Sequence, residues 1–273
     1  MNRKTLLTAL VASGLLACSA QASIVTLAAI DDTTLLRNIG NAQGDANFGG
    51  RTNVVIGNNN DLSQFRYGIF RFDVTSIATQ ITAGTDIQSA TLTLTELFAS
   101  DATHANTTRG FSVHGITAAN AGWVEGTANG TLQVGTASLS YLNTGANNAA
   151  STDWASGGAS PTLADLFTFG TDTGAAIGTG SVTFATGSQQ TLVINLDTTA
   201  LKTLLAQWQT SNSGLAIQAT GTSLGQTFWD SNETGVGQAP ATLNITFVPE
   251  PSSLALLVLN GVFMWLVRGR NRN

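Results

Sequence analysis

The chain has 273 residues, a formal net charge of −5 and only 10% charged residues, so it holds one large domain or two small ones. Between residues 24 and 248 stand six basic residues against fifteen Asp and Glu, a body charge of −9 that argues against nucleic acid as a partner. Cys18 is the only cysteine, and a chain cleaved to begin at Ser23 has none, which excludes disulfides, catalytic thiols and cysteine-based metal sites.

The N-terminus carries Arg3 and Lys4, an apolar run over residues 6–17 and Ala20-Gln21-Ala22, the charged, apolar and small-x-small parts of a secretory signal peptide. Residues 1–22 are therefore expected to be removed after Ala22. A second reading takes residues 15–18, Leu-Leu-Ala-Cys, as a lipidation motif at Cys18.

Short strand patterns then follow at 24–27, 31–37 and 53–57, with a Gly- and Asn-rich loop between the last two, pinned by Phe48. Residues 66–74 carry bulk on both alternating faces and predict a strand central to a sandwich. Residues 76–85 read as a turn-rich link, and 87–97 alternate Thr with Leu, turning Ala90, Leu92 and Leu94 inward. Strand 111–116 leads to Trp123-Val124-Glu125-Gly126 and a Gly/Ala/Asn/Thr-rich insertion over 128–180, expected to be mostly loop. Strands resume at 181–184 and 190–196. Leu201, Leu204, Leu205 and Trp208 then make one apolar helical stripe behind Asp197, and strands follow at 214–219, 226–231 and 241–247. The expected fold is an all-β, jelly-roll-like β-sandwich with one short helix, spanning residues 23–248.

The chain ends with Pro249-Glu250-Pro251, an uncharged apolar run over 252–267 and a tail at 268–273 containing Arg268, Arg270 and Arg272. As a helix at ~1.5 Å per residue the run reaches about 24 Å, enough to span a thin or adapted bilayer with its arginines on the cytoplasmic side. Pro-Glu-Pro, a short apolar helix and an Arg-rich end in that order resemble the PEP-CTERM sorting signal of Gram-negative bacteria. That resemblance implies transient inner-membrane insertion, cleavage by an exosortase, delivery by the secretion machinery to the cell surface or extracellular matrix, and a link to exopolysaccharide and biofilm.

The body carries a second resemblance. Asn47-Phe48-Gly49, RYGIFRFDVTSI at 66–77, IQSATLTL at 87–94, Trp-Val-Glu-Gly at 123–126, LDTTALKTLLAQW at 196–208 and FWDSNE at 228–233 occur in the order found in DNRLRE domains. This implies an extracellular β-sandwich related to the family 96 carbohydrate-binding modules, some of which bind acidic polysaccharides such as alginate. The chain departs from that pattern in lacking a second Trp after Trp-x-Glu-Gly and in the length of its insertion.

For sugar binding, Trp123 offers an indole face with Glu125 as hydroxyl acceptor, and Trp154 is expected to be an exposed ring in the insertion. The bland alternative makes Trp123 a plug and Glu125 a cap for backbone N–H groups. Arg66, Arg71 and Arg109 are candidate forks for a uronate carboxylate, against internal pairing with Asp. Asp31, Asp32, Asp45 and Asp230 with Glu233 offer oxygen ligands for Ca²⁺ without an EF-hand spacing. No His-Glu-x-x-His occurs in the chain. The expected function is non-catalytic: polysaccharide binding or packing within the extracellular matrix. The alternatives are a structural or adhesive matrix protein without a specific glycan site, or a polysaccharide-cleaving enzyme: a lyase using His114 or Tyr141 as base with an Arg partner, or a glycoside hydrolase with paired carboxylates.

Overall fold

A computed structural model describes residues 22–38, 46–58, 64–97, 107–138, 141–142, 144, 152–155, 167–221, 225–233 and 239–248. Ala20, Asp45, His104 and the sorting residues Pro249, Glu250, Pro251, Arg268 and Arg270 lie outside the described residues. So do the apolar runs of both termini. No helix among the described residues is long and apolar enough to cross a membrane.

The protein is all-β and antiparallel. Its organising element is β1 (Ser23–Asn38), whose first half pairs with β12 (Thr242–Phe247) and whose second half pairs with β4 (Gln64–Phe72). A bulge between Ala29 and Asp31 makes that switch, because the extra residue bends the strand and re-aims the side chains beyond it. One sheet continues from β12 through β5 (Ile87–Thr95) to β9 (Thr191–Asn195). The other runs from β4 through β10 (Leu215–Thr220) and β6 (Thr108–Ile116) to β8 (Thr173–Thr183). β3 (Asn53–Asn58) and β11 (Gly225–Asp230) pair with each other beside β4. The open side is nearly closed where Asp197 N–H donates to the Ile177 carbonyl at 2.6 Å.

Alternation dictates which side chains fill the space between the sheets. Ala90, Leu92 and Leu94 of β5 point inward and are buried, while Thr91 and Thr93 stay part-exposed. β4 is buried on both faces: Phe70 and Phe72 join the main core, and Ile69 joins a second cluster on the outer side of its sheet. Each fully buried side chain of this size stabilises the fold by about 1.5–3 kcal/mol. The helix α2 (Thr198–Trp208) is capped by Asp197, whose side chain accepts from Ala200 N–H at 2.7 Å, and it buries Leu201, Leu205 and Trp208.

Two expectations are corrected. The link after β4 contains a short helix, α1 (Ala78–Ala83), preceded by a 3₁₀ turn over Thr75–Ile77 that seats the fully buried Ile77. The insertion is more than loop. Its last part forms β8, and a two-residue strand β7 (Thr131–Leu132) pairs with β2 (Ala46–Asn47). Trp123, Leu142, Trp154 and Phe167 cover the outer face of the β4–β10–β6 sheet, packed on Leu35, Ile69, Ile116 and Ala216. The composition looks like loop because a few large side chains do the burying while Gly, Ala and Asn fill the spaces between them.

Candidate anion-binding site

The site grows from two loops fastened to each other. Asn47, 1% exposed, donates from its side chain to the carbonyls of Glu125 and Ala137 and accepts from the backbone N–H groups of Gly49 and Ala128. The Gly50 and Gly130 N–H groups donate to the carbonyls of Ala128 and Asn47, both at 2.8 Å. This approach is so close that a Cβ on Gly50 would stand 2.1 Å from the Thr127 carbonyl oxygen, with backbone on both sides. Gly126 closes the turn at φ +82, a conformation costly for other residues. Gly50→Ala is therefore expected to lose about 1–3 kcal/mol, read as a lowered thermal midpoint.

Arg51 leaves the fastened loops and Arg66 rises from the start of β4, and together with Thr34, Gln64, Phe48 and Asn129 they line a cavity of about 270 Å³. Arg51 donates from Nε to Asn129 Oδ1 at 2.6 Å and rests its guanidinium 4.6 Å over the Phe48 ring. Phe48 is itself fixed against Leu36 and Ala46. Arg66 donates from Nη2 to Gln64 Oε1, and its Nη1 is buried without an acceptor. Burial pushes the Arg51 guanidinium below its ordinary range, and burial plus the charge of Arg51 does the same to Arg66. Among the described residues Arg71 pairs with Asp31 and Lys202 with Asp86, and no described carboxylate pairs with either pocket arginine. Two cations held together and partly desolvated form a site chemically suited to an oxyanion, which would relieve both the repulsion and the desolvation.

The Glu125 end of the fastened loops meets a buried pair of carboxyl groups. Glu125 Oε1 accepts the backbone N–H of Asp32 at 2.9 Å, and Asp32 Oδ2 accepts that of Asn232 at 2.7 Å. Burial first, then the neighbouring carboxylates of Asp31 and Glu233, push Asp32 up to about 7; burial and the same neighbours with Asp32 push Glu125 up to about 8. Glu125 thus uses one carboxyl oxygen to cap a backbone N–H on β1, beside the Asp32 carboxyl group.

The remaining sequence candidates are dispersed. Trp123 and Trp154 are each 1% exposed, with their indole N–H groups donating to the Ser213 and Ser138 carbonyls. The expectation that Trp154 is an exposed ring is overturned, and neither tryptophan presents a face to a sugar. Arg71 is consumed internally by Asp31, by the carbonyls of Asn212, Ala121 and Trp123, and by the Trp123 ring 4.2 Å away. Arg109 is 3% exposed, 5.5 Å over the Phe184 ring, and out of reach of a surface ligand. His114 donates from Nδ1 to the Gly174 carbonyl beneath Phe169, and Tyr141 is 1% exposed. Asp230, raised by burial, accepts from Ala239 N–H. With Asp31 in its ion pair and Asp32 on backbone, no three His, Cys, Asp or Glu side chains among the described residues converge on a metal position. Arg51 was missed in the sequence because a lone arginine in a Gly-rich loop carries no periodic signal; the cue was an arginine within three residues of the loop-pinning Phe48.

No family model matches the chain, and no curated protein is significantly similar to it.

Proposed function

We propose that this chain is an exported, non-catalytic β-sandwich protein of jelly-roll type that binds an acidic polysaccharide through Arg51 and Arg66. In this reading its C-terminal segment acts as a PEP-CTERM signal that an exosortase removes, leaving the domain at the cell surface or in the exopolysaccharide matrix. The observation that carries the binding is the Arg51–Arg66 pair, without a carboxylate partner among the described residues, lining a polar cavity on a body of net negative charge. An acidic protein repels polyanions at long range, so capture of one requires a local, partly desolvated cationic site of this kind. Adjacent first and last strands and two packed antiparallel sheets support the jelly-roll assignment.

The test uses the full chain in mild detergent against immobilised polygalacturonate, alginate and a neutral glucan. Retention is expected on the acidic polymers, weakening with salt, and Arg66→Gln or Arg51→Gln is expected to raise Kd at least about tenfold, the loss of a charge-assisted fork. Equal retention on neutral and acidic polymers, or variants that bind as the parent does, would overturn the assignment.

A further inference from the structure

Resting on that reading, we infer that the Arg51–Arg66 pocket takes one anionic sugar unit, a chain end or a single-residue branch, in place of a run of polymer backbone. The first argument is size. The cavity measures about 270 Å³, below the roughly 300–1,000 Å³ of sites that hold drug-sized ligands, and so suits one ring with its carboxylate.

The second argument is rigidity. One wall is the pair of fastened loops, tied by Gly50 N–H to Ala128 O, Gly130 N–H to Asn47 O and Arg51 Nε to Asn129 Oδ1. The other wall is sheet: Gln64 and Arg66 on β4 and Thr34 on β1, whose hydroxyl accepts the Val55 N–H at 2.8 Å. Opening such a pocket to a through-running chain means breaking those bonds.

The third argument is that the described lining offers no open aromatic platform: its one aromatic residue, Phe48, is 6% exposed. Adjoining sugars in an extended site are held by ring faces, yet one face of Phe48 is already occupied by the Arg51 guanidinium. Affinity then comes from the oxyanion fork on a single unit, and further sugars add little. A larger cavity of about 600 Å³ exists between β6, β8 and α2, but its lining carries Asp197 and no cation, the wrong charge for an acidic chain.

The test is a calorimetric titration of the full chain in mild detergent with methyl galacturonoside, with galacturonides of two, four and six units, with a sulfated monosaccharide and with inorganic sulfate. Kd is expected to stay within about threefold from one unit to six, with one protein bound per oligomer. Halving the mean length of a polygalacturonate by partial hydrolysis is expected to double the protein bound per gram. Preference between the carboxylated and sulfated sugars identifies which oxyanion the fork reads. A Kd that falls tenfold or more with length, protein loading that ignores hydrolysis, or inorganic sulfate binding as tightly as the sugar acids overturns the single-unit site while leaving acidic-polymer binding standing. Binding of no acidic sugar at any length overturns both.

Discussion

Asp32→Asn is expected to raise the thermal midpoint at pH 8.5 by about 5–15 °C and to leave it nearly unchanged at pH 4. Asp32 is 1% exposed, and burial with the charges of Glu233 and Asp31 holds its carboxyl up at about 7, against roughly 3.9 in an unfolded chain. A carboxyl whose pKa is raised on folding keeps its proton in the native state while the unfolded chain has lost it. Stability therefore falls as pH rises from about 4, and the loss is complete once pH passes the folded-state value. A shift of about three units corresponds to at most roughly 4 kcal/mol, and coupling with Glu125 makes about 2–4 kcal/mol the expected gain on neutralising Asp32. For a domain of this size 1 kcal/mol moves the midpoint by about 2–4 °C. Asparagine keeps a carbonyl oxygen for the Asn232 N–H, so the variant removes the charge and spares the hydrogen bond. Glu125, held up at about 8, extends the same decline by one pH unit, and Glu125→Gln and Asp32→Asn should gain less together than the sum of their separate gains. Melting curves from pH 4 to 9 decide this: a parent whose midpoint is flat or rises from pH 5 to 8.5 excludes a buried, proton-holding pair.

The elements legible in the sequence are those whose burial is decided by neighbours on the same strand or helix. Alternation in 87–97 placed Leu92 and Leu94 inside, two-sided bulk marked 66–74 as central, and the stripe Leu201, Leu205, Trp208 with Asp197 before it gave α2 its face and its start. What escaped is decided at long range. Trp154 sits in a polar stretch, and only the outer face of a sheet built from residues far away in the chain gives its ring somewhere to go. Asp31 and Asp32 read as oxygen donors for Ca²⁺ in a loop. The bulge beside them instead sends one to Arg71 and the other inside, since β1 must leave one sheet and enter the other there. Arg66 was visible as a cation and Arg51 was not, and the site exists only because the 46–51 loop folds back beside the start of β4.

Trp123→Ala and Arg66→Gln are expected to separate folding from binding in opposite directions. Trp123 fills the second cluster, donates its indole N–H to the Ser213 carbonyl at 2.8 Å and carries Arg71 on its ring. Truncation leaves a large cavity, an orphaned buried carbonyl and an arginine without its stack, for an expected loss of about 3–5 kcal/mol. Trp123→Phe keeps part of the volume and loses the N–H, so its loss should fall to about 1–2 kcal/mol. Trp123 does not line the Arg51–Arg66 cavity, so the folded Trp123→Phe variant should bind acidic polymer within about twofold of the parent. Arg66→Gln removes a buried unpaired Nη1 and the repulsion from Arg51, and should fold at least as stably as the parent while losing about tenfold or more in affinity. A Trp123→Phe protein that melts like the parent yet no longer binds would return the tryptophan to the ligand and remove the arginines from it. The buried ring and the desolvated guanidinium pair require the reverse outcome, stability lost with the ring and affinity lost with the charge.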